Sequence, residues 1–341
     1  MVTLKDLSRH LGISVTQVSR ALNGHDDVSE DTKKRVRKAA KQLNYVPNMS
    51  ARKLVSGRSG VVALVQRNNP DLIEDHNFIE TVTNLSIEFS KLGKQFVLHI
   101  APEDADEISV YQRLIAGGAL DGFVVHEPAD DDPRVEFLTS NDIPFVVHGR
   151  TLGELTYPFF DIDNFEVGYQ LTKHLLDLGH RRIAFINGPR GLTYATFRVQ
   201  GYKKALADYG VAFDPGLVSY GRMTEEHGLV KTIEFNTLSG EFPTAIVAGH
   251  VRIAKGIYQA AEALGLSVPR DLSVVAHDDV IPKLRASAFY PALTVTRSGL
   301  RNSWEPLARY LSQLLDGGSV EDLQSVSSFE FVVRASTADI S

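Results

Sequence analysis

Two stretches of this 341-residue chain carry side chains whose types and spacing can do chemistry. His277-Asp278-Asp279 sets an imidazole beside two carboxylates and is the best acid–base cluster in the sequence. The rest of a catalytic set is missing from the sequence pattern. There are no cysteines, which excludes disulfides, thiolate zinc sites, iron–sulfur clusters and a cysteine nucleophile. No G-x-G-x-x-G follows a strand, and no P-loop, H-E-x-x-H or G-x-S-x-G occurs. The reading is therefore a binding protein without enzyme activity, cofactor or metal. The second stretch is Val2 to Asn23, where Val15, Thr16, Gln17 and Arg20 fall on the outward side of a short helix. That is the arrangement by which side chains enter a DNA major groove.

The elements that must position these residues follow from local patterns. Thr3 caps a first helix in which Leu4, Leu7 and Leu11 recur at helical spacing, and Gly12 ends it because glycine takes the left-handed conformation at little cost. Ser14 caps a second helix from Val15 to about Asn23, with Val18 and Leu22 turned toward the first. Two short helices about a Gly-containing turn describe a helix-turn-helix; a helical hairpin in an ordinary core is the competing reading. Charge favours the former. Residues 1–58 hold 12 Lys/Arg against 5 Asp/Glu, a net of +7, leaving 24 against 37, a net of −13, for the remainder. A basic head on an acidic body fits phosphate contact by the head alone.

Ser29 opens a third helix whose Val36, Ala39, Ala40 and Leu43 close a small core with Leu7, Val18 and Leu22. Its basic residues face solvent, for solubility or for phosphate contact. Beyond Tyr45-Val46-Pro47-Asn48, the segment Ser50 to Val55 is too short to hold itself helical in water, so its helicity depends on a partner. From Gly60 onward, apolar runs near Val61–Val65, Phe96–Ile100, Gly122–Val125, Phe145–Val147, Ile183–Ile186, Ala245–Val247 and Ser273–Ala276 read as strands. Helices near Phe78–Leu92, Ile108–Ala116, Val135–Ser140, Phe165–Leu178, Phe197–Tyr209, Glu225–Leu238 and Ile253–Leu264 alternate with them. Alternation of this kind builds parallel sheets, and the break near Tyr157-Pro158 divides them into two doubly wound subdomains. No run approaches a membrane span, and MVTLKDLSRHLG lacks the apolar region of a secretory signal, so a cytoplasmic protein is expected.

Residues 2–58, with VTLKDLSRHLGISVTQVSRALNG, VS, LNYVPN and ARKL, resemble the DNA-binding head of the LacI/GalR family of bacterial transcription regulators. The resemblance continues through the body in Asp161-Ile162-Asp163-Asn164, Gly168, Leu178-Gly179-His180-Arg181-Arg182-Ile183, Gly188-Pro189, Arg198 with Gly201-Tyr202, Asp278-Asp279 and Arg334 with Ser336-Thr337. It implies an α/β protein: an all-α helix-turn-helix head plus two Rossmann-like parallel-sheet subdomains, periplasmic-binding-protein-like, with three chain crossings between them. The corresponding division is a helix-turn-helix domain at 1–48, a hinge helix and linker at 49–58, and an effector-binding and dimerisation domain at 59–341. Within the latter, the N-subdomain spans about 59–159 and 291–318 and the C-subdomain about 160–289 and 320–336.

The resemblance also implies site residues. DNA contacts fall to Thr3, Ser14, Val15, Thr16, Gln17, Ser19, Arg20 and Asn23 in the head and to Ala51, Lys53 and Leu54 in the hinge. Leu54 matches a leucine wedged into the minor groove at the centre of a palindromic operator, a contact that kinks the duplex. Arg198 matches an arginine that holds a sugar hydroxyl or a carboxylate, and Asp278 an aspartate that accepts from hydroxyls; a structural salt bridge is the other reading of each. Asn77, Phe78, Arg150, Phe160, Tyr194 and His250 complete the expected ligand set. His148 and His277 are either further ligand donors or satisfied structural residues. The chain departs from the family where His250-Val251 replaces Asn-Asp, Met223 replaces a stacking aromatic, and Gly149 replaces an aspartate, so the pocket chemistry is its own. The implied function is a ligand-responsive repressor of carbohydrate uptake or catabolism genes, a homodimer on double-stranded palindromic operator DNA, released by a sugar, a glucoside or disaccharide among the options. A corepressor-dependent regulator and a solute-binding protein are the alternatives.

Overall fold

The computed structural model describes residues 2–22, 25–45, 58–68, 72, 76–237, 241–281, 283–299 and 301–341. Asn23, Ala51, Lys53 and Leu54 lie outside the described residues. The chain divides into two compact units, residues 1–60 and 61–341.

The first unit holds helices α1 (Leu4–Leu11), α2 (Val15–Leu22) and α3 (Glu30–Gln42). Each begins where the sequence supplies a cap. Thr3 and Asp6 form a reciprocal capping box, Asp6 N–H donating to Thr3 Oγ1 at 3.3 Å and Thr3 N–H to Asp6 Oδ2 at 2.9 Å. Ser14 and Gln17 repeat the device on α2 at 3.1 and 3.2 Å, and Ser29 caps α3. Gly12 closes α1 at φ 67°. Leu7, Val18, Ala21, Val28, Val36 and Ala39 are buried together as a small core.

The second unit is built on two six-stranded sheets. In chain order its elements are β1 (Val61–Arg67), α4 (His76–Lys91), β2 (Gln95–Ala101), α5 (Glu107–Ala116), β3 (Gly122–His126), α6 (Pro133–Ser140), β4 (Phe145–His148), β5 (Phe159–Ile162) and α7 (Asn164–Asp177). There follow β6 (Ile183–Asn187), α8 (Thr193–Asp208), β7 (Val218–Tyr220), α9 (Glu225–Phe235), β8 (Ala245–Ala248), α10 (Val251–Ala263) and β9 (Ser273–Asp278). The last elements are β10 (Thr294–Arg297), α11 (Arg301–Leu315), β11 (Gln324–Ser327) and β12 (Glu330–Val332). The first sheet runs β11-β5-β4-β3-β1-β2, all parallel, and the second β12-β10-β9-β8-β6-β7, with only β12 antiparallel. Both faces of each sheet are covered, so the central strands are continuous apolar runs such as Val62–Val65 and Ala245–Ala248.

The chain crosses between sheets three times, after β5, after β10 and after β11, and these crossings correct the expected subdomain limits. Phe160–Ile162 and β11, expected in the second subdomain, pair in the first sheet, whereas β10, expected in the first, pairs with β9. Parallel register decides it: β5 extends β4 from Val147↔Phe159, and β10 extends β9 from Thr294↔Val275. Helix α11, outside the sequence-based elements, keeps Pro306 in its interior and is held by Trp304, Leu307, Ala308, Leu311 and Leu315 packed on the first sheet.

Two helix pairs approach at glycine. A Cβ on Gly168 of α7 would lie 2.0 Å from the Arg198 carbonyl oxygen of α8, and one on Gly201 the same distance from that of Phe165. Gly228 and Gly256 form the matching contact between α9 and α10, at 2.1 and 1.9 Å. Gly201→Ala must therefore force the helices apart, and we expect a loss of at least about 3 kcal/mol, above the usual range for overpacking because the obstacle is backbone. Chemical denaturation of the variant against the parent measures it.

Candidate ligand cleft and nucleic-acid interface

Parallel sheets present their loops at the carboxyl ends of the strands, and there a cleft of about 1220 Å³ opens between the two sheets. From the first subdomain come Asn77 and Phe78 at the start of α4, His126 at the end of β3 with Glu127 after it, His148 at the end of β4 with Arg150 just beyond, and Phe160 and Asp161 from β5. The second contributes Tyr194 and Arg198 of α8, Met223 to Glu226 before and at the start of α9, Arg252 and Lys255 of α10, and Asp279 after β9. Beside the cleft the subdomains touch: Thr193 N–H donates to Pro128 O at 3.1 Å, Asp130 N–H to Gly191 O at 2.9 Å, and the Thr196 hydroxyl to Asp130 Oδ2 at 2.8 Å.

Arg198, Arg150 and Asp161 in the cleft are held before any ligand arrives. Arg198, 4% exposed, donates from Nε to Asn164 Oδ1 at 2.8 Å and from an NH group to Gly249 O at 2.6 Å, with Tyr194 stacked under its guanidinium. Burial pushes its pKa below the usual arginine value, opposed by the charge of Asp279. Arg150 donates to Asp161 Oδ2 at 2.9 Å and lies over the Phe197 ring. Burial raises the Asp161 carboxyl to about 6, with the Arg150 charge holding it from going higher. His126 and His148, opposite one another in the β3–β4 register, stack with their Nδ1 atoms 3.1 Å apart. Burial, then the neighbouring His126, depresses His148 to about 3, so it is neutral.

Of the ligand residues expected from the sequence, Asn77, Phe78, Arg150, Phe160, Tyr194 and Arg198 line the cleft together. Two do not. Asp278, at the end of β9, turns its carboxylate back to accept from Val280 N–H at 2.8 Å, and it is Asp279 that faces the cleft. His250 is fully buried as the N-cap of α10 and reaches Asp279 from behind at 3.3 Å. His126, Glu127, Arg252 and Lys255 were not expected. The available signal for His126 and Glu127 was their place one step past an apolar strand.

In the head, Val15, Thr16, Gln17 and Arg20 are exposed on α2 and Ser19 is half-buried, while Thr3 and Ser14 serve as helix caps. Arg20 grips Asp27 through Nε and an NH group at 3.1 and 2.7 Å.

Residues 3–48 match the bacterial regulatory proteins of the lacI family, and residues 172–337 match the periplasmic binding protein-like domain. The HTH-type transcriptional regulator AglR of Rhizobium meliloti (strain 1021) is 39% identical over 339 residues, covering 98% of this chain and 94% of the relative. The chain belongs to the LacI family. Like its relatives it is a transcriptional regulator with a DNA-binding helix-turn-helix head. Among solved structures, the transcriptional regulator CelR-cellobiose complex is 31% identical with a TM-score of 0.72 over 98% of this chain and 100% of that one. The lac repressor dimer bound to operator and the anti-inducer ONPF, 24% identical over 99% of both chains, shares the fold at a TM-score of 0.79. Among the described residues no helix is long and apolar enough to cross a membrane.

A pH dependence follows for the cleft. Asp161 ionises near 6 when folded and near 3.8 otherwise, so between these values the folded chain binds the extra proton and stability attributable to this group falls as pH rises. Asp161→Asn removes that titration. Its stability relative to the parent is expected to improve by up to about 3 kcal/mol between pH 4 and pH 7, on top of a pH-independent offset from the stranded Arg150. Paired denaturation curves across that range check the slope.

Proposed function

We propose that the cleft receives a neutral sugar and that its occupancy releases a homodimer of this chain from a palindromic operator. The observation that carries the reading is the pairing, on facing walls, of fixed hydrogen-bonding ions with aromatic rings. Asp279 offers acceptors and Arg198 donors, and Phe78, Phe160 and Tyr194 offer apolar faces of the kind that cover a pyranose ring. The relative solved as a complex with cellobiose supports a sugar of disaccharide size. The head supplies the DNA contacts through Val15, Thr16, Gln17, Ser19 and Arg20, with Asn23, Ala51, Lys53 and Leu54 as further contacts.

A ligand shifts an equilibrium only by its differential affinity for the two states, and the effect is reciprocal. Operator binding by the full chain, followed by fluorescence anisotropy with cellobiose, maltose, trehalose and sucrose as probes, should weaken at least about tenfold with one of them. Failure of every sugar to bind, measured by calorimetry, overturns the effector assignment, and tightening of the operator complex overturns release in favour of corepression. Asp279→Asn should leave operator affinity unresponsive to sugar. Arg20→Ala should abolish the specific footprint while sugar still binds; an unchanged footprint counts against α2 as the reading helix.

A further inference from the structure

Asp279 follows strand β9 directly, and its two oxygens face two imidazoles. His277 Nε2 lies 3.1 Å from Oδ1 and His250 Nε2 3.3 Å from Oδ2, and both rings are fully buried. The hydrogen bonds on the far side of each ring fix the protons. His250 Nδ1 accepts from the backbone N–H of Arg252 at 3.2 Å, and an amide can only donate, so this nitrogen is bare and the ring carries its proton on Nε2. The cap that starts α10 thus uses Nδ1 of His250 as an acceptor and turns Nε2 toward Asp279. His277 Nδ1 faces the Thr296 hydroxyl at 3.0 Å, a group that can donate to it, and its Nε2 faces a carboxylate, which can only accept.

We propose that His250 and His277 are positioning residues for the effector: each donates its Nε2–H to one oxygen of Asp279, fixing the carboxylate plane and leaving one acceptor direction on each oxygen for ligand hydroxyls. The inference rests on the reading of Asp279 as the sugar acceptor. Its chemistry explains the neutral clamp. A lysine or arginine in place of the imidazoles would neutralise the carboxylate and compete for the same lone pairs, whereas two neutral N–H donors orient it and leave its charge to the ligand. The Asn77 amide nitrogen of the first subdomain stands 3.5 Å from His250 Nε2, a contact of two donors once Nε2–H is directed at Asp279, and it places the clamp where the two walls meet. Ligands with two adjacent hydroxyls, the vicinal diol of a sugar ring, fit an acceptor whose two oxygens are held in one plane.

The test has two arms. In the full chain labelled with ¹⁵N-histidine, long-range ¹H–¹⁵N spectra at neutral pH should show two imidazoles in the Nε2–H tautomer with slowly exchanging ring protons, both perturbed by Asp279→Asn. An Nδ1–H tautomer or an imidazolium at either ring overturns the proposal, and this arm needs no ligand. In the second arm, cellobiose and the other disaccharides of the panel are titrated calorimetrically. His250→Leu and His277→Leu should weaken binding about 10- to 100-fold, the loss expected when a hydrogen bond to a charged group goes. His250→Gln and His277→Gln, whose amide N–H sits where the ring Nε2–H was, should stay within about fivefold of the parent and guard against a leucine variant that fails to fold. If Asp279→Asn abolishes binding and all four histidine variants bind as the parent does, the clamp is wrong and the cleft reading stands; if Asp279→Asn binds normally, the acceptor assignment itself fails.

Discussion

An ion taken out of water costs several kcal/mol unless its hydrogen bonds are met, and the body of this protein is arranged around meeting that demand at three points. Asp161, Arg198 and Asp279 all sit where a sheet ends and a cleft begins. Each is satisfied by groups that the fold itself brings there. Asp161 takes the N–H of Ile162 and the Asn164 amide as well as Arg150; Arg198 takes Asn164 and the Gly249 carbonyl; Asp279 takes two imidazoles. Asn164 joins the first two, donating to Asp161 and accepting from Arg198, so a single amide at the start of α7 fixes the relative placement of a carboxylate and a guanidinium.

That placement depends in turn on helix packing. The backbone of Arg198 presses on Gly168 with no room for a methyl group, so the position of the guanidinium is set by the closest approach of α7 and α8. On the same wall of the cleft, after β9, the backbone is strained: Val280 adopts φ 60°, a left-handed conformation that a β-branched residue adopts at a cost of about 1–3 kcal/mol. Its N–H donates to Asp278, and this tight turn is what swings Asp279 into the cleft while Asp278 stays behind as a bracket. The two helices and the strained turn are independent devices with one effect, polar groups whose orientation is settled before binding, and preorganisation of that kind reduces the ordering cost that otherwise subtracts from affinity.

What could be read from the residues in order is what local physics decides. The three head helices were legible because caps and apolar spacing act within a few residues, as Thr3 with Asp6 and Ser14 with Gln17 demonstrate. The longer strands and helices of the body were legible for the same reason. Strands β5, β7, β10, β11 and β12, three or four residues each, carry too little pattern, and their sheet membership is decided by pairing with strands far away in sequence. Helix α11 hides behind Pro306 and exists because Trp304, Leu307 and Leu311 find the first sheet. In the cleft, the division of labour between Asp278 and Asp279 turns on one backbone dihedral at Val280, which no residue-type rule anticipates for valine. His250 was recognisable as polar at a strand end, but that it stands one layer back follows only from the Arg252 amide occupying its Nδ1.

The head applies a contrasting economy. Arg20 and Asp27 are both about half exposed, and a pair of that kind contributes at most about 1 kcal/mol in water. It is therefore suited to hold a guanidinium in one rotamer without committing it. An arginine that must meet a base edge or a phosphate exchanges one charged partner for another, and the exchange is easy when the first bond was weak. Gln17 is different: its amide oxygen closes the cap of α2, so only its N–H₂ group can turn outward without loosening the start of the helix. A donor-only glutamine beside a releasable arginine biases the surface of α2 toward acceptors, which the major groove presents at guanine N7 and O6, adenine N7 and thymine O4. The same capping hydrogen bond that makes the helix legible in the sequence thereby restricts the groups that α2 presents at its surface.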